Sequence, residues 1–388
     1  MRTLHAILLA KLSVCGATSS APTPSPMVPS IRESLSVSAR PARVGEPVSL
    51  VGGENVLCAL RKDAPPACIG EVGLALEPVD ADDGRYVRTH TERPVAIEGL
   101  DLGSLSVGSS MRCVVGRGAT VDCWRRHAGE KGTYPNQLGL SRVRELAAAD
   151  QTCAIVESGE VLCTGDQTCG GRDAIPGYDM SKVVKIPGVN KARLIDRDLH
   201  MGCVVREDST VACWGKILER AECTPNASVV PTLDQVVDIA VGDYSACALR
   251  ADNRVLCWGN NEDRTLGVAE PIFSKVPIEV REAHPAVKID SSSRGYAVLR
   301  VDGSVIAWGS GVVLDEKQPP QRVDLAHPAV DLVAMDGLVC ALLVTGDVEC
   351  EGYKVDFAVK EGRPRPPFEG KAPWVEAPLY RLAPAAAD

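Results

Sequence analysis

Along this chain, two short apolar runs flanking a polar tripeptide recur, and each occurrence reads as a β-hairpin. The clearest copy is Ser245-Ala246-Cys247-Ala248-Leu249-Arg250, then Ala251-Asp252-Asn253, then Arg254-Val255-Leu256-Cys257-Trp258-Gly259. A three-residue hairpin loop wants a left-handed residue at its third place, where glycine or asparagine fits at least cost. That place holds Asn253, Gly159, Gly303 and Gly346 in four copies. Ala64, Ala119 and Ser209 occupy it in the other three, whose turns are free to differ. A β-prone run precedes the hairpins (100–107, 236–241, 287–289, 330–333) and a Pro-x-x-Val piece follows two of them (277–280, 320–323). Each unit therefore supplies four strands.

Register follows from the loop. Pairing Arg250 with Arg254 closes the turn, so Cys247 and Cys257 meet as a non-hydrogen-bonded pair with Cα atoms about 4.5 Å apart. Disulfides span roughly 4.4–6.8 Å between Cα atoms, so a cross-strand bridge fits. The same spacing of ten couples Cys58 with Cys68, Cys113 with Cys123, Cys153 with Cys163, Cys203 with Cys213, and Cys340 with Cys350. A seventh copy carries Ala297 and Ala307 instead, having lost both thiols together, as bonded partners would be. Zinc is the competing use, but its ligands stand two to four residues apart or beside histidines. Nine intervening residues and six dispersed histidines do not fit that pattern.

The first anchor of each copy falls at 58, 113, 153, 203, 247, 297 and 340, in steps of 55, 40, 50, 44, 50 and 43 residues. Propeller blades run roughly 40–50 residues. The predicted fold is all-β: a seven-bladed β-propeller with one intra-hairpin disulfide in six of the seven blades. With aromatic residues at only 4%, the core must rest on aliphatic side chains and the bridges themselves. Trp124, Trp214, Trp258 and Trp308 each follow the second cysteine or its alanine substitute, which favours blade-to-blade packing over ligand stacking. Cys169 and Cys223 stand outside the pattern, in loops of successive units. Adjacent blades would let them form an inter-blade tie; the alternative is two separate thiols.

Fifteen cysteines in mostly paired spacing point to an oxidising, extracytoplasmic compartment. Residues 1–15 resemble a bacterial lipoprotein signal peptide, with Arg2, an apolar stretch and then Leu12-Ser13-Val14-Cys15. Cys15 would be the lipidated residue of an envelope-anchored protein, or the segment is an ordinary signal peptide cut nearby and the protein is secreted. Residues 16–32 read as a Ser/Pro-rich linker, 33–360 as the propeller, and 361–388 as a tail that closes the ring. Asp80, Asp82 and Asp83 fall in a loop insertion and read as a solvated turn rather than a calcium site. A net charge of −9 with scattered basic residues argues against a nucleic-acid partner. No stretch matches a nucleophile triad, a phosphate-cradling loop or a carboxylate pair, so no enzyme, cofactor or metal is predicted.

The unit Cys-Ala-Leu, turn, Val-x-Cys-Trp-Gly, followed by Asn260 and Thr265-Leu266-Gly267, resembles the regulator of chromosome condensation repeat, as does Asn136-Gln137-Leu138-Gly139. The resemblance covers most of 40–355 and implies a seven-bladed propeller. The cysteine-bearing form is similar to repeats of exported bacterial proteins. The founding member's role implies one function, guanyl-nucleotide exchange on a small GTPase. The residues themselves favour another: a monomeric scaffold whose loops bind a protein or a glycan.

Overall fold

The structure is a computed structural model that describes residues 42–44, 46–53, 56–71, 90–98, 105–108, 111–115, 121–125, 140–149, 151–164, 182–217, 223–312, 319–352 and 379–381. Cys15, Cys169, Ala119, Asp80, Asp82 and Asp83 lie outside the described residues.

Seven sheets follow one another along the chain. The first holds β1 (Pro47–Gly53), β2 (Val56–Arg61), β3 (Ala64–Glu71) and β4 (His90–Glu98). The second has β5 (Leu105–Val107), β6 (Met111–Val115) and β7 (Val121–Arg125). The third has β8 (Val143–Ala148), β9 (Thr152–Val156), β10 (Val161–Thr164) and β11 (Val183–Lys185). In the fourth are β12 (Ala192–Arg197), β13 (Met201–Arg206), β14 (Val211–Gly215) and β15 (Thr224–Val229). The fifth comprises β16 (Val236–Val241), β17 (Ser245–Arg250), β18 (Val255–Asn260) and β19 (Phe273–Glu279). The sixth comprises β20 (Ala286–Ser292), β21 (Gly295–Arg300), β22 (Val305–Trp308) and β23 (Gln321–Arg322). Last come β24 (Ala329–Met335), β25 (Leu338–Leu343) and β26 (Val348–Gly352).

Each sheet packs on the next, and β1 packs on β24, so the ring closes on itself as a propeller. The first strand of every blade touches the first strands of its neighbours, which places these seven strands around a central shaft. A final strand, β27 (Leu379–Arg381), joins blade 1 beside β4, but in parallel and outside a blade that already has four antiparallel strands.

All six cysteine couples are bridged, with Cα atoms 4.0–4.1 Å apart, somewhat closer than the strand register alone suggests. The partners are those the spacing predicts: Cys58 with Cys68, Cys113 with Cys123, Cys153 with Cys163, Cys203 with Cys213, Cys247 with Cys257, and Cys340 with Cys350. Cys247 faces Cys257 and Leu249 faces Val255, as the turn requires. Asn253, Gly159, Gly303 and Gly346 are left-handed at the third turn place, and so is Ser209. The first hairpin differs: Asp63 takes the left-handed conformation, and Ala64 already belongs to β3, opposite Arg61. A bulge between Ala59 and Arg61 restores the register that brings Cys58 opposite Cys68.

The apolar core lies between blades. Trp214 packs with Ile155 and Val161 of the blade before it, Trp258 with Met201 and Val205, and Trp308 with Leu249 and Leu266. Blade-to-blade packing therefore holds for these three; the Trp124 side chain lies outside the described residues. The glycine after Trp258 has a geometric cause. Gly259 sits at φ +108°, and a Cβ there would lie 2.4 Å from the Tyr244 carbonyl oxygen, so only glycine lets the third strand tuck beneath the loop joining the first two.

Blade 6 replaces its missing staple with aromatic packing. Ala297 and Ala307 remain paired, and beside them Tyr296 and Trp308 stack with centroids 5.8 Å apart. The Trp308 indole donates to the Thr265 carbonyl at 2.9 Å. Restoring the bridge tests the geometry. The Ala297→Cys/Ala307→Cys double variant is expected to lose both new thiols on oxidation and to unfold at higher denaturant. The gain is at most about 2.5–3 kcal/mol for so short a loop. Thiol titration and a denaturation curve with and without reductant would check it.

Candidate functional site

A first strand is hydrogen-bonded on one side only, so its other edge turns toward the shaft with bare N–H groups. Such an edge invites foreign pairing, and each buried N–H left unpaired costs about 1–3 kcal/mol. Here side chains of one blade cap the bare edge of the next. At the third place of the first strand, Asp331 accepts from the Leu50 amide at 2.8 Å. From the equivalent place, Glu145 accepts from the Ile195 backbone and Asp238 from the Ile289 backbone. At the place opposite the first cysteine or its alanine substitute, Asp196 accepts from the Val241 amide at 2.7 Å, Asp290 from Ala334 at 3.0 Å and the Ser106 hydroxyl from Ala148 at 2.8 Å. Every clamp runs from a blade to its successor, and Asp331 carries the pattern across the seam between last and first blades.

Asp331 is also the centre of a charge cluster. Its carboxylate takes a 2.5 Å bond from the Lys288 ammonium of blade 6 and a 2.7 Å bond from the Ser49 hydroxyl of blade 1. Lys288 gives a second bond, 2.8 Å, to the Leu332 carbonyl. Burial works against this ammonium, but Asp331, Asp290 and Asp238 outweigh it, and its pKa lies above the ordinary lysine value.

The remaining shaft carboxylates carry less compensation. Enclosure by the ring pushes Glu145 up to about 7 and Asp238 and Asp290 up to about 6, against the opposing pull of their amide donors. Enclosure also raises Asp196, with Asp290 and Asp198 adding repulsion. Arg144 and Arg193 stand toward the hairpin-loop end of the shaft, donating to the Ala192 carbonyl at 2.9 Å and the Val236 carbonyl at 2.5 Å.

The opposite mouth is acidic. It is built by the loops between first and second strands of blades 4 to 7. Asp198 is enclosed there with its pKa at about 7, raised first by burial and then by Asp243 and Asp336. It accepts from the Leu199 amide at 2.8 Å, while Asp336 accepts from the Ser293 amide at 3.1 Å. His200 Nδ1 bonds Asp243 Oδ1, and its ring stacks on Tyr244 with centroids 4.7 Å apart and planes 16° apart. Parallel planes put the Tyr244 hydroxyl above the imidazole, so its 3.4 Å approach to Nε2 is a stacking contact more than a hydrogen bond. Asp263 adds a weak pair with Arg294 at 3.9 Å. Among the described residues no three His, Cys, Asp or Glu side chains converge as metal ligands.

The twelve cysteines paired by their spacing lie inside the blades. Cys58 and Cys68 join β2 to β3, Cys113 and Cys123 join β6 to β7, and Cys153 and Cys163 join β9 to β10. Cys203 and Cys213 join β13 to β14, Cys247 and Cys257 join β17 to β18, and Cys340 and Cys350 join β25 to β26. They fix neighbouring strands of a blade. Cys223 is disulfide-bonded. Sequence reasoning missed the shaft. Its signal was a polar residue nine or seven places before the first cysteine: Asp238, Asp331, Ser49 and Lys288 (against Ala297) at nine, Asp196, Ser106 and Asp290 at seven.

Residues 236–264 match the regulator of chromosome condensation (RCC1) repeat. Three solved structures share the fold. Yeast RCC1 (Prp20), solved bound to Kap60, is 15% identical with a TM-score of 0.57 over 78% of this chain and 79% of its own. Human WBSCR16 is 16% identical, TM-score 0.57, covering 75% and 87%. The ectodomain of the Arabidopsis thaliana receptor kinase ACR4 is 18% identical, TM-score 0.50, covering 79% and 97%.

Two substitutions separate the roles of the shaft carboxylates. Asp331→Asn removes the carboxylate directly bonded to Lys288, leaving only the more distant Asp290 and Asp238, and should cost about 3 kcal/mol, as broken buried pairs do. Asp196→Asn keeps an acceptor for Val241 and removes a repelled charge, so it should stabilise at pH 8 and change little at pH 5. In the native protein the raised carboxylates bind more protons folded than unfolded between their ordinary values, about 4, and 6–7. Stability should therefore fall as pH rises from 5 to 8. Urea midpoints at both pH values check all three outcomes.

Proposed function

Taking as premise a propeller that carries the regulator of chromosome condensation repeat, we propose that this chain is a binding scaffold. The loops at its acidic mouth hold a protein or a glycan. One observation carries the reading: Asp198, His200, Asp243, Tyr244 and Asp336, from three blades, are held at a single opening by an otherwise rigid ring. A preformed surface binds without a large ordering cost, which is what stapled blades provide.

The proposal includes export. Six bridged cysteine couples suit an oxidising compartment, and the plant receptor-kinase domain of the same fold is by its description an ectodomain. Among the described residues no helix is long and apolar enough to cross a membrane. Cys15 is proposed as a lipid anchor within a leader, and Cys169 as the partner of Cys223. The second reading is a regulator of a small GTPase by nucleotide exchange. It is favoured by the fold of the yeast protein, whose binding to Gsp1p and histones is described.

Two experiments decide between these. Capture from an envelope fraction should recover a saturable partner with the native chain, and recovery should fall at least tenfold for Asp243→Lys/Asp336→Lys. The control Glu207→Lys/Asp252→Lys, on the hairpin loops of the other face, should bind normally. Equal capture by both variants would remove the mouth from consideration. Metabolic labelling with a fatty acid should mark the native chain and leave Cys15→Ser unlabelled. Label in neither, with the protein recovered from the cytosol in reduced form, would favour the GTPase reading.

A further inference from the structure

The six staples share one geometry but not one electrostatic setting. Cys113 Sγ lies 3.3 Å from the Thr152 hydroxyl, and Cys247 Sγ lies 4.0 Å from the Thr265 carbonyl oxygen. Neither neighbour is charged. Cys153 is different: Arg197 Nη1 stands 3.2 Å from its sulfur. The guanidinium reaches across from β12 of blade 4, is buried in the seam, and is oriented by the Gln151 side-chain oxygen at 3.1 Å and the Asp198 carbonyl at 3.3 Å. At the matching place in the other first strands stand Gly52, Val107, Ala148, Val241, Ser291 and Ala334, none of which is cationic. Among the described residues, the Cys153–Cys163 bridge is thus the one whose sulfur faces a positive charge.

A cation beside a sulfur matters little to the intact bridge and a great deal to the thiolate that forms when it breaks. Thiol–disulfide exchange runs faster, and further toward reduction, when the leaving sulfur is the better-stabilised thiolate. In a seam from which water is largely excluded, that stabilisation is larger than at the surface.

We infer that Cys153–Cys163 is the redox-labile staple of the ring, the bridge that opens first to a dithiol reductant because Arg197 receives the departing Cys153 thiolate. One thiolate of the reductant attacks Cys163 Sγ, forming a mixed disulfide while the electron pair of the Cys153–Cys163 bond leaves on Cys153. The second thiol of the reductant loses its proton, closes on the first sulfur and releases Cys163, which takes up a proton. The reductant ends as a cyclic disulfide and the staple has gained two electrons. Opening loosens blade 3 next to the seam from which Asp198 is presented at the mouth, so the device sits where a change of redox poise reaches that loop. Nothing in this inference depends on what the mouth binds.

Solvent access ranks the bridges differently. Cys350 is the one staple cysteine that is not buried, so an order set by access alone would open Cys340–Cys350 first. The native full-length chain should be equilibrated with graded dithiothreitol at pH 8, quenched in acid, alkylated and mapped by mass spectrometry. Cys153 and Cys163 are expected to label at roughly tenfold lower reductant than any other couple. In Arg197→Met, which keeps much of the side-chain volume without the charge, that advantage should vanish while the other five keep their order. Cys340 and Cys350, or any other couple, labelling first in the native chain would overturn the inference, a result that stands even if the variant does not fold. An unchanged order in a folded Arg197→Met protein would overturn it as well.

Discussion

Seven strands facing a common axis leave seven unpaired edges, and among the described residues six of them, all but that of β5, are capped by a side chain of the blade before. Packing between blades supplies most of the apolar burial, yet aliphatic surfaces do not fix which amide meets which acceptor. The carboxylates and hydroxyls of the shaft do. Asp331 shows the constraint most clearly, because it joins three blades at the one seam that chain connectivity does not bridge directly. A charge placed there must be matched, and Lys288 matches it.

The same arrangement carries a built-in tension. Carboxylates are good edge caps because they accept two bonds at once, as Asp290 does from Ser291 and from Ala334. Gathering several in one enclosed shaft makes them repel, and only one ammonium lies among them. Arg144 and Arg193 offset part of the repulsion at one end, and the fold tolerates the rest by letting the least compensated groups titrate upward. Stability, local charge and the acidic character of the mouth are thus consequences of one structural solution to the edge problem.

Much of the architecture was legible in the chain because its repeat writes the same constraint several times. Spacing of ten across a three-residue turn leaves one cross-strand register, and six couples obey it. Ala64 was legible as an irregular turn; Ser209 was not legible as a regular one, since propensity at a left-handed position bends to the demands of the hairpin around it. The candidate site was harder. Asp238 within Val236-Val237-Asp238-Ile239 looks like an ordinary polar position on a strand with one wet face, and only the ring shows that this face is shared by seven strands. Likewise Asp198, Asp243 and Asp336 come from separate blades, and no local pattern announces that they meet. Arg197 would pass for a strand-end charge until the neighbouring blade is set beside it.

The six staples all close loops within a single blade. Each plate is therefore covalently stiff, while among the described residues the seams between plates are held by packing, edge clamps and a few charged pairs, to which the proposed Cys169–Cys223 tie adds a covalent link between blades 3 and 4. Mechanical or thermal strain should concentrate at the joints and spare the panels, so the molecule resembles a folding screen bent into a circle more than a welded barrel. Whatever give the molecule has lies in those joints, so each panel carries its loops to the rim as a fixed unit.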